Sequence, residues 1–501
     1  MKPFTKSVFK HSRMPEPSSR CEFPRSGYAD RTAWSSREAS IGNAVYITKN
    51  QSPMVSLEKD PMPFQFFKPH RAKKNILRWI FQRMLRFPER KRSAFLVVSV
   101  LLPLAALWLL GSPAHAIERR KPQFLKDPSY LILPLPYSLA GIGQGVLITV
   151  LGGNIGGTNI DAFGVIVTGD VTGNFVSVED IHAIEETLIF ALQNFNINKA
   201  IFNSYDQRGM NSDGKVYKLI ELDQLDGQLA TVTLSLFDRR LELFGGFEKQ
   251  KRSVTRIRDQ DGNLIAELST GFKSESETTF FGFVADYTDD RQDPREGIRL
   301  QVTRRKTPPA SDADPDTFVW DYTLTGYIPF GNSTLAIHYF RSDAQVVRQG
   351  QTNRTAIETE LCESDPTCIS AVQDLVDQLI AARKNGTSTS LGGDQRLRSY
   401  PQGRFQGAHT EFYSLEFRWN FSTAVTPFNY FIWKDIRTGL QVAFFAEAGS
   451  VGETRSEVGN TFATTFGVGF RMISGSGLVY RADLATGNEG TEISVIFNYP
   501  F

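Results

Sequence analysis

The chain has 501 residues, a net charge of +2 and 41% hydrophobic residues, which is enough for one large domain or several small ones. The charge is unevenly spread. Residues 1–92 carry 20 Lys and Arg against 7 Asp and Glu, residues 93–116 carry none, and residues 117–501 are therefore at −11. No nucleic-acid-binding fold is recognisable around the basic residues, so we expect no nucleic acid as a partner.

A secretory signal is the first element that the sequence predicts. The basic segment Glu89–Arg92 precedes an apolar run of 17 residues, Ala94–Leu110, and a small-residue end at Ala114–Ala116. This order is typical of a signal peptide, and the run is short for a transmembrane helix of about 20 residues. We therefore predict a signal peptide at 93–116. Residues 1–92 are interpreted as a disordered leader or the product of an upstream start codon.

Two helices are predicted beyond the signal. The first covers 177–195, where Ser177 and Asp180 resemble a capping box. Its apolar residues follow helical spacing: Ile181, Ile184, Leu188 and Leu192. The second covers 365–386, with Asp365 as cap and Gly386 as terminator. Its apolar stripe is expected to pack on the mouth of the folded domain: Ile369, Val372, Val376 and Ile380. Cys362 and Cys368 are candidates for a local disulfide, because an exported chain meets an oxidising compartment.

Period-two alternation dominates the rest of the chain. In the segments 318–328, 333–340, 411–421 and 491–501, one face is apolar and the other mostly polar. A soluble β-sandwich alternates in the same way. Strands of about ten residues, aromatic-rich apolar faces and a mean hydropathy of −0.25 favour a membrane barrel instead. Because lipid cannot satisfy an open sheet edge, we predict an all-β fold for 117–501, a closed antiparallel transmembrane β-barrel of about sixteen strands with one or two short loop helices.

Six blocks between Phe280 and Phe501 resemble, in order, the barrel of the BamA/TamA superfamily of outer-membrane insertases and two-partner-secretion transporters. The blocks are "DYTDDRQDPREGIRLQV", "YIPFGNSTLAI", "LGGDQRLRSY", "SLEF", "FFAEAGSVG" and "GVGFRMISGSGLVYRADLA". The resemblance implies an outer-membrane protein of a Gram-negative-type bacterium that assists assembly or transport of protein or lipid. It also implies that barrel-assembly machinery inserts the chain, with the terminal aromatics Tyr499 and Phe501 as the signal. No periplasmic transport-associated domain is recognisable, which argues against substrate capture by such domains of this chain. The expected partner is outer-membrane lipid, and a separate periplasmic protein or client would favour the insertase function.

The block "LGGDQRLRSY" resembles the sixth extracellular loop of that family, which folds into the lumen and pairs an arginine with acids on the inner wall. Carried over, the arginine is Arg398 and the acids are Glu416 and Glu447. The alternation supports this independently, because both glutamates lie on the polar faces of their strands. The other residues of the motif are Gly392, Gly393, Leu397, Ser399 and Tyr400. Two of these positions depart from the family: Ser399 replaces a glycine, and Glu447 replaces an aspartate.

No motif for catalysis, metal binding or nucleotide binding is present, so we predict no enzyme activity and no cofactor. A lipid hydrolase would need a Ser–His pair on the lipid-facing wall, whereas His338 is expected to face the lumen. Two functions stay open. The barrel is an insertase or translocase, or it is a structural or pore-forming surface barrel that keeps the fold without the activity.

Overall fold

A computed structural model describes residues 129–422, 427–430, 433–474 and 479–501. The predicted leader and signal peptide lie outside these residues. No helix in the described part of the chain is long and apolar enough to cross a membrane.

Antiparallel strands make up most of the described chain, together with three short α-helices and one turn of 3-10 helix at Ile155–Gly157. The strands are β1 (Ser129–Leu139), β2 (Gly143–Gly153), β3 (Asp161–Gly169), β4 (Thr172–Ile184), β5 (Leu188–Tyr205), β6 (Tyr217–Leu236), β7 (Leu241–Arg258), β8 (Leu264–Thr288), β9 (Gly297–Thr307), β10 (Asp316–Phe330), β11 (Ser333–Arg348), β12 (His409–Ser422), β13 (Pro427–Tyr430), β14 (Trp433–Gly452), β15 (Ala463–Ser474), β16 (Val479–Gly487) and β17 (Gly490–Phe497). The helices are α1 (Arg354–Cys362), α2 (Pro366–Ala371) and α3 (Gln373–Asn385).

The strands close into a ring. Each pairs antiparallel with its neighbours in sequence, except that the short β13 pairs only with the start of β14 while β12 pairs directly with β14. β17 then returns to β1 through the residue pair Ser138↔Val495. The fold is therefore a closed antiparallel barrel of 16 strands, as predicted.

The two faces of the wall have opposite chemistry. Phe444 and Phe466 lie on the outside and are 52% and 58% exposed, whereas the inward Glu447 and Thr465 are 3% and 0% exposed. Burying polar groups and exposing apolar ones is the reverse of a water-soluble protein and the arrangement that a lipid environment favours. Trp419 and Glu416 of β12 segregate in the same way, as the alternation predicts.

The two ends of the barrel differ in the length of their connections. β10 and β11 are joined by Gly331 and Asn332 alone, at what we call the turn end. The connection from β11 to β12 emerges at the opposite end, which we call the loop end, and it contains all three α-helices.

The helix predicted for residues 365–386 forms as two helices, α2 and α3, with a break at Val372. Asp365 accepts a hydrogen bond from the N–H of Thr367 at 2.9 Å, as a cap should. Val372 and Val376 are buried in one apolar cluster with Ile257 of β7. The helices thus cover the loop end of β6–β8, and a disulfide between Cys362 and Cys368 joins α1 to α2.

The helix predicted for residues 177–195 is wrong, because this segment forms the end of β4 and the start of β5. A β-bulge lies between Val178 and Ile181, and Asp180 has a φ of 50°. A tight turn follows, with Glu186 at a φ of 53°. The bulge and the turn shift the phase of the alternation. Apolar residues therefore fall three and four positions apart and imitate a helix.

The predicted strand at 491–501 is too long, since β17 ends at Phe497. Asn498 has a φ of 67°, which turns the chain away from the wall. Tyr499 and Phe501 consequently do not continue the outer face, and their side chains enter the lumen.

Candidate functional site in the barrel lumen

The segment Leu391–Phe405, which we call the inserted loop, folds from the loop end into the barrel. Its ends pair with each other through backbone hydrogen bonds of 2.9 and 3.0 Å. Gly392 and Gly393 have φ values of 98° and 109°, where only glycine fits without strain. A Cβ on Gly392 would also lie 2.2 Å from the carbonyl oxygen of Pro401. These glycines therefore allow the tight turn by which the loop enters the lumen.

Arg398 lies at the tip of the inserted loop and is 0% exposed. Its Nε donates to Glu447 Oε1 at 2.8 Å, and its backbone N–H donates to Glu447 Oε2 at 2.9 Å. Its Nη2 donates to Glu416 Oε2 at 3.2 Å. The structure thus brings together the arginine and the two glutamates named from the sequence.

Asp483 of β16 is a third acid on Arg398, at 2.8 Å from Nη1, and sequence reasoning did not assign it a role. Arg471 of β15 was also missed, and it donates to both oxygens of Glu416 at 2.5 and 2.6 Å. Both residues lie in the block "GVGFRMISGSGLVYRADLA". The signal available in the sequence was that both residues occupy inward-facing positions of their strands. Whether they meet depends on the register of β14–β16.

Three further charged groups complete the cluster. Arg418 donates to Glu416 Oε1 at 2.6 Å, and Arg481 donates to Asp483 Oδ2 at 2.5 Å and to Asp394 Oδ2 at 3.1 Å. Four guanidinium groups thereby face four carboxylates. Each charge is compensated locally, which a buried ionic cluster needs in order to be stable.

The remaining residues of the loop motif surround Arg398. Ser399, at the position of the family's glycine, shares a hydrogen bond of 2.7 Å with Thr465 of β15. Leu397 is fully buried with a φ of 55°, a conformation unfavourable for a bulky residue. The N–H of Tyr400 donates to the carbonyl of Leu397 at 2.9 Å, which closes the turn that carries Arg398.

The inserted loop also binds the rim of the barrel. Arg404 donates to Glu489, between β16 and β17, at 2.6 Å and to the carbonyl of Ser212, between β5 and β6, at 2.6 Å. The N–H of Gln402 donates to the carbonyl of Ala140, in the turn between β1 and β2, at 2.9 Å. The loop therefore contacts connections on both sides of the junction between β1 and β17.

Another tie at the rim involves Arg208 in the β5–β6 connection. Its Nε lies 2.8 Å from Glu453 Oε1, and its Nη2 donates to the carbonyl of Gly386 at the end of α3 at 2.8 Å. Burial lowers the pKa of Arg208, and the Glu453 carboxylate opposes that shift. The helices and the loops of the rim are held together at this point.

The junction of β1 and β17, which we call the seam, has the single register pair Ser138↔Val495. Leu133 O accepts from the side-chain hydroxyl of Thr149 of β2, and Pro136 O accepts from the side-chain hydroxyl of Tyr480 of β16. Even-numbered residues of β1 therefore direct their backbone groups towards β17. Two of them, Pro134 and Pro136, have no N–H to donate. The sequence of β1 thus removes two donors from the seam.

Apolar contacts replace the missing ladder. Leu131, Leu133 and Leu135 of β1 form one buried cluster with Tyr480 and Phe497. The Phe497 ring also lies 5.7 Å from Phe163 of β3, on the inner face of the wall. β17 therefore passes inside β1 near its end, and the two edges of the sheet overlap.

The residues after β17 fill the lumen at the turn end. Tyr499 donates from its hydroxyl to Asp293, in the β8–β9 turn, at 2.7 Å. The guanidinium of Arg418 lies 4.1 Å from the Tyr499 ring. The Phe501 ring stacks on His338 at 4.3 Å, so this histidine faces the lumen but is covered. No cluster of His, Cys, Asp and Glu in the described chain could hold a metal ion.

No protein-family model matches the sequence, and no curated protein does. Among solved structures, the chain is similar to BamA from Haemophilus ducreyi lacking POTRA domains 1-3 (12% identity, 79% of this chain and 78% of that chain, TM-score 0.41). It is also similar to CdiB from Escherichia coli (10%, 76% and 68%, 0.42) and CdiB from Acinetobacter baumannii (10%, 75% and 60%, 0.42). No activity of this chain follows from these likenesses.

Proposed function

We propose that the chain is an outer-membrane barrel that assists the insertion or translocation of protein or lipid. The apolar outer wall and the charged lumen suit a protein that spans a bilayer. The inserted loop places buried side chains inside the barrel. This favours a route for the client through the side of the wall over an open water-filled pore.

The seam carries this proposal. A single backbone pair joins β1 to β17, whereas the β6–β7 ladder runs from Leu219↔Arg258 to Leu236↔Leu241. Each backbone hydrogen bond contributes about 0.5–1.5 kcal/mol net, so this junction costs less to separate than any complete ladder. Separation would expose an edge of unpaired backbone groups on β17, which a client strand can pair with.

The ionic cluster keeps the rest of the wall intact while the seam separates. Arg398 ties the inserted loop to β12, β14 and β16 at once. Movement at the seam would then be confined to β1 and the end of β17, while the cluster holds β12, β14 and β16 in place.

A disulfide across the seam tests the proposal. The variant Ser138→Cys with Val495→Cys places two cysteines opposite each other on paired strands, within the Cα separation that a disulfide needs. Gln301→Cys with Thr323→Cys, on the complete β9–β10 ladder, is the matched control. Each variant replaces the parent protein in cells, and the outer-membrane proteome and lipids are measured with and without reductant.

We expect loss of client proteins or lipids only for the oxidised seam variant, with recovery on reduction. A normal outer membrane with a locked seam would refute lateral opening. If removal of the chain changes neither proteome nor lipids while the purified barrel conducts ions, the structural or pore-forming alternative holds.

A further inference from the structure

Arg304 of β9 lies among three aromatic rings near the loop end of the wall. Its guanidinium carbon is 4.4 Å from the ring centre of Phe318, 5.7 Å from that of Phe281 and 5.8 Å from that of Trp320. Arg304 is paired in register with Phe281 on β8 and with Trp320 on β10. The aromatic rings therefore hold the guanidinium over three adjacent strands.

This side chain belongs to the outer face. Ile298 and Leu300, at alternate positions of the same strand, are 49% and 36% exposed on that face. The adjacent Arg305 points the opposite way and donates to Asp321 at 2.7 Å and to Thr389 of the β11–β12 connection. Arg304 is thus a cation on the outer face, at alternate positions with the apolar Ile298 and Leu300 and next to aromatic side chains.

Two lysines on the same face of the wall have carboxylate partners. Lys249 of β7 lies 2.6 Å from Glu275 and 2.9 Å from Glu277, and Lys306 lies 3.5 Å from Asp316. Arg304 has no carboxylate within ion-pair distance in the described chain. A cation on a lipid-facing surface is unfavourable unless it reaches the headgroup region or meets an anion.

We propose that Arg304 and its aromatic frame bind the phosphate of an anionic lipid headgroup in the leaflet at the loop end. A guanidinium can donate two parallel hydrogen bonds to a phosphate, and stacking on the rings fixes its plane. Aromatic rings are also enriched where a barrel meets the membrane–water interface. Because the site opens sideways from the wall, its ligand approaches from within the bilayer.

This inference rests on the membrane location in the proposed function, and it does not depend on insertase activity. The full chain is placed in nanodiscs of phosphatidylcholine with and without phosphatidylglycerol, and bound phosphatidylglycerol is counted by mass spectrometry. A chain that does not enter nanodiscs refutes the membrane location itself. A chain that enters them allows the lipid site to be tested separately.

Arg304→Gln should weaken retention of phosphatidylglycerol about fivefold, the effect of one basic residue near a membrane surface. Lys249→Gln, which removes one charge that is already matched on the same wall, should change it little. Equal retention by the parent and Arg304→Gln, or equal loss in both variants, overturns the proposal. So does displacement of the lipid by inorganic phosphate, which would indicate a site for a soluble anion.

Arg304→Lys provides a second test that does not depend on the folding of Arg304→Gln. Lysine keeps the charge but has no planar fork. The site is supported if Arg304→Lys retains less phosphatidylglycerol than the parent chain but still retains some. Retention equal to that of the parent would show that charge alone suffices and would overturn the assignment of a phosphate held by the guanidinium fork.

Discussion

Replacing Arg398 with alanine removes the donors that three buried carboxylates share. Glu416 keeps Arg471 and Asp483 keeps Arg481, but Glu447 loses its cation. Removing one partner of a buried pair costs about 3–5 kcal/mol, because the other charge stays buried without compensation. Each kcal/mol shifts the unfolding temperature by about 2 °C in a large domain. We therefore expect Arg398→Ala to unfold about 6–10 °C below the parent chain.

The assay is the temperature at which the folded barrel loses its fast mobility in a gel run in detergent. Arg354→Ala is the matched control, because Arg354 on α1 pairs with Asp377 at an exposed site, where a pair contributes about 0–1 kcal/mol. The unfolding temperature of Arg398→Lys should lie between those of the parent chain and Arg398→Ala, because one ammonium cannot reach all three acids. If Arg398→Ala unfolds at the same temperature as Arg354→Ala, the cluster does not stabilise the loop and the reasoning is wrong.

Three more changes test other parts of the structure. Gly392→Ala should lower the same gel temperature, because the new Cβ meets Pro401 at a positive φ; Gly326→Ala, where nothing lies within 4 Å, should not. Tyr499→Phe should cost about 1 kcal/mol through the lost bond to Asp293, seen as a shift of about 2 °C, and an unchanged temperature would contradict that bond. Cys362→Ser should speed protease cleavage between α1 and α2 while the barrel keeps its gel mobility; equal cleavage rates would show that the disulfide is not needed there.

The barrel itself could be predicted because each wall residue meets either lipid or the lumen, and this choice repeats every second residue. The same rule directs Glu416 and Glu447 inward before any contact is known. It does not say which inward residues meet, because that depends on the stagger between neighbouring strands. Asp483 and Arg471 were missed for this reason.

The errors came from places where local pattern and global closure disagree. In residues 177–195, a bulge at Asp180 and a turn at Glu186 change the phase of the alternation, and helical spacing results by coincidence. At the C-terminus, the alternation of apolar and polar residues continues through Phe501. The strand does not continue with it, because Pro134 and Pro136 of β1 have no N–H groups to pair with it. The chain therefore leaves the sheet, and the side chains of Tyr499 and Phe501 lie in the lumen.

The placement of strong and weak contacts around the ring determines where the barrel can open. Buried ion pairs often add little to stability compared with apolar packing, yet breaking one is costly. The cluster on β12–β16 therefore resists any deformation that separates those strands. The seam, with two prolines and one register pair, relies on non-directional apolar contacts among Leu131, Tyr480 and Phe497. Such contacts can slide without leaving a polar group unpaired. A thermal opening should accordingly begin at β1 and β17, with amide exchange fastest there and slowest at β14–β15.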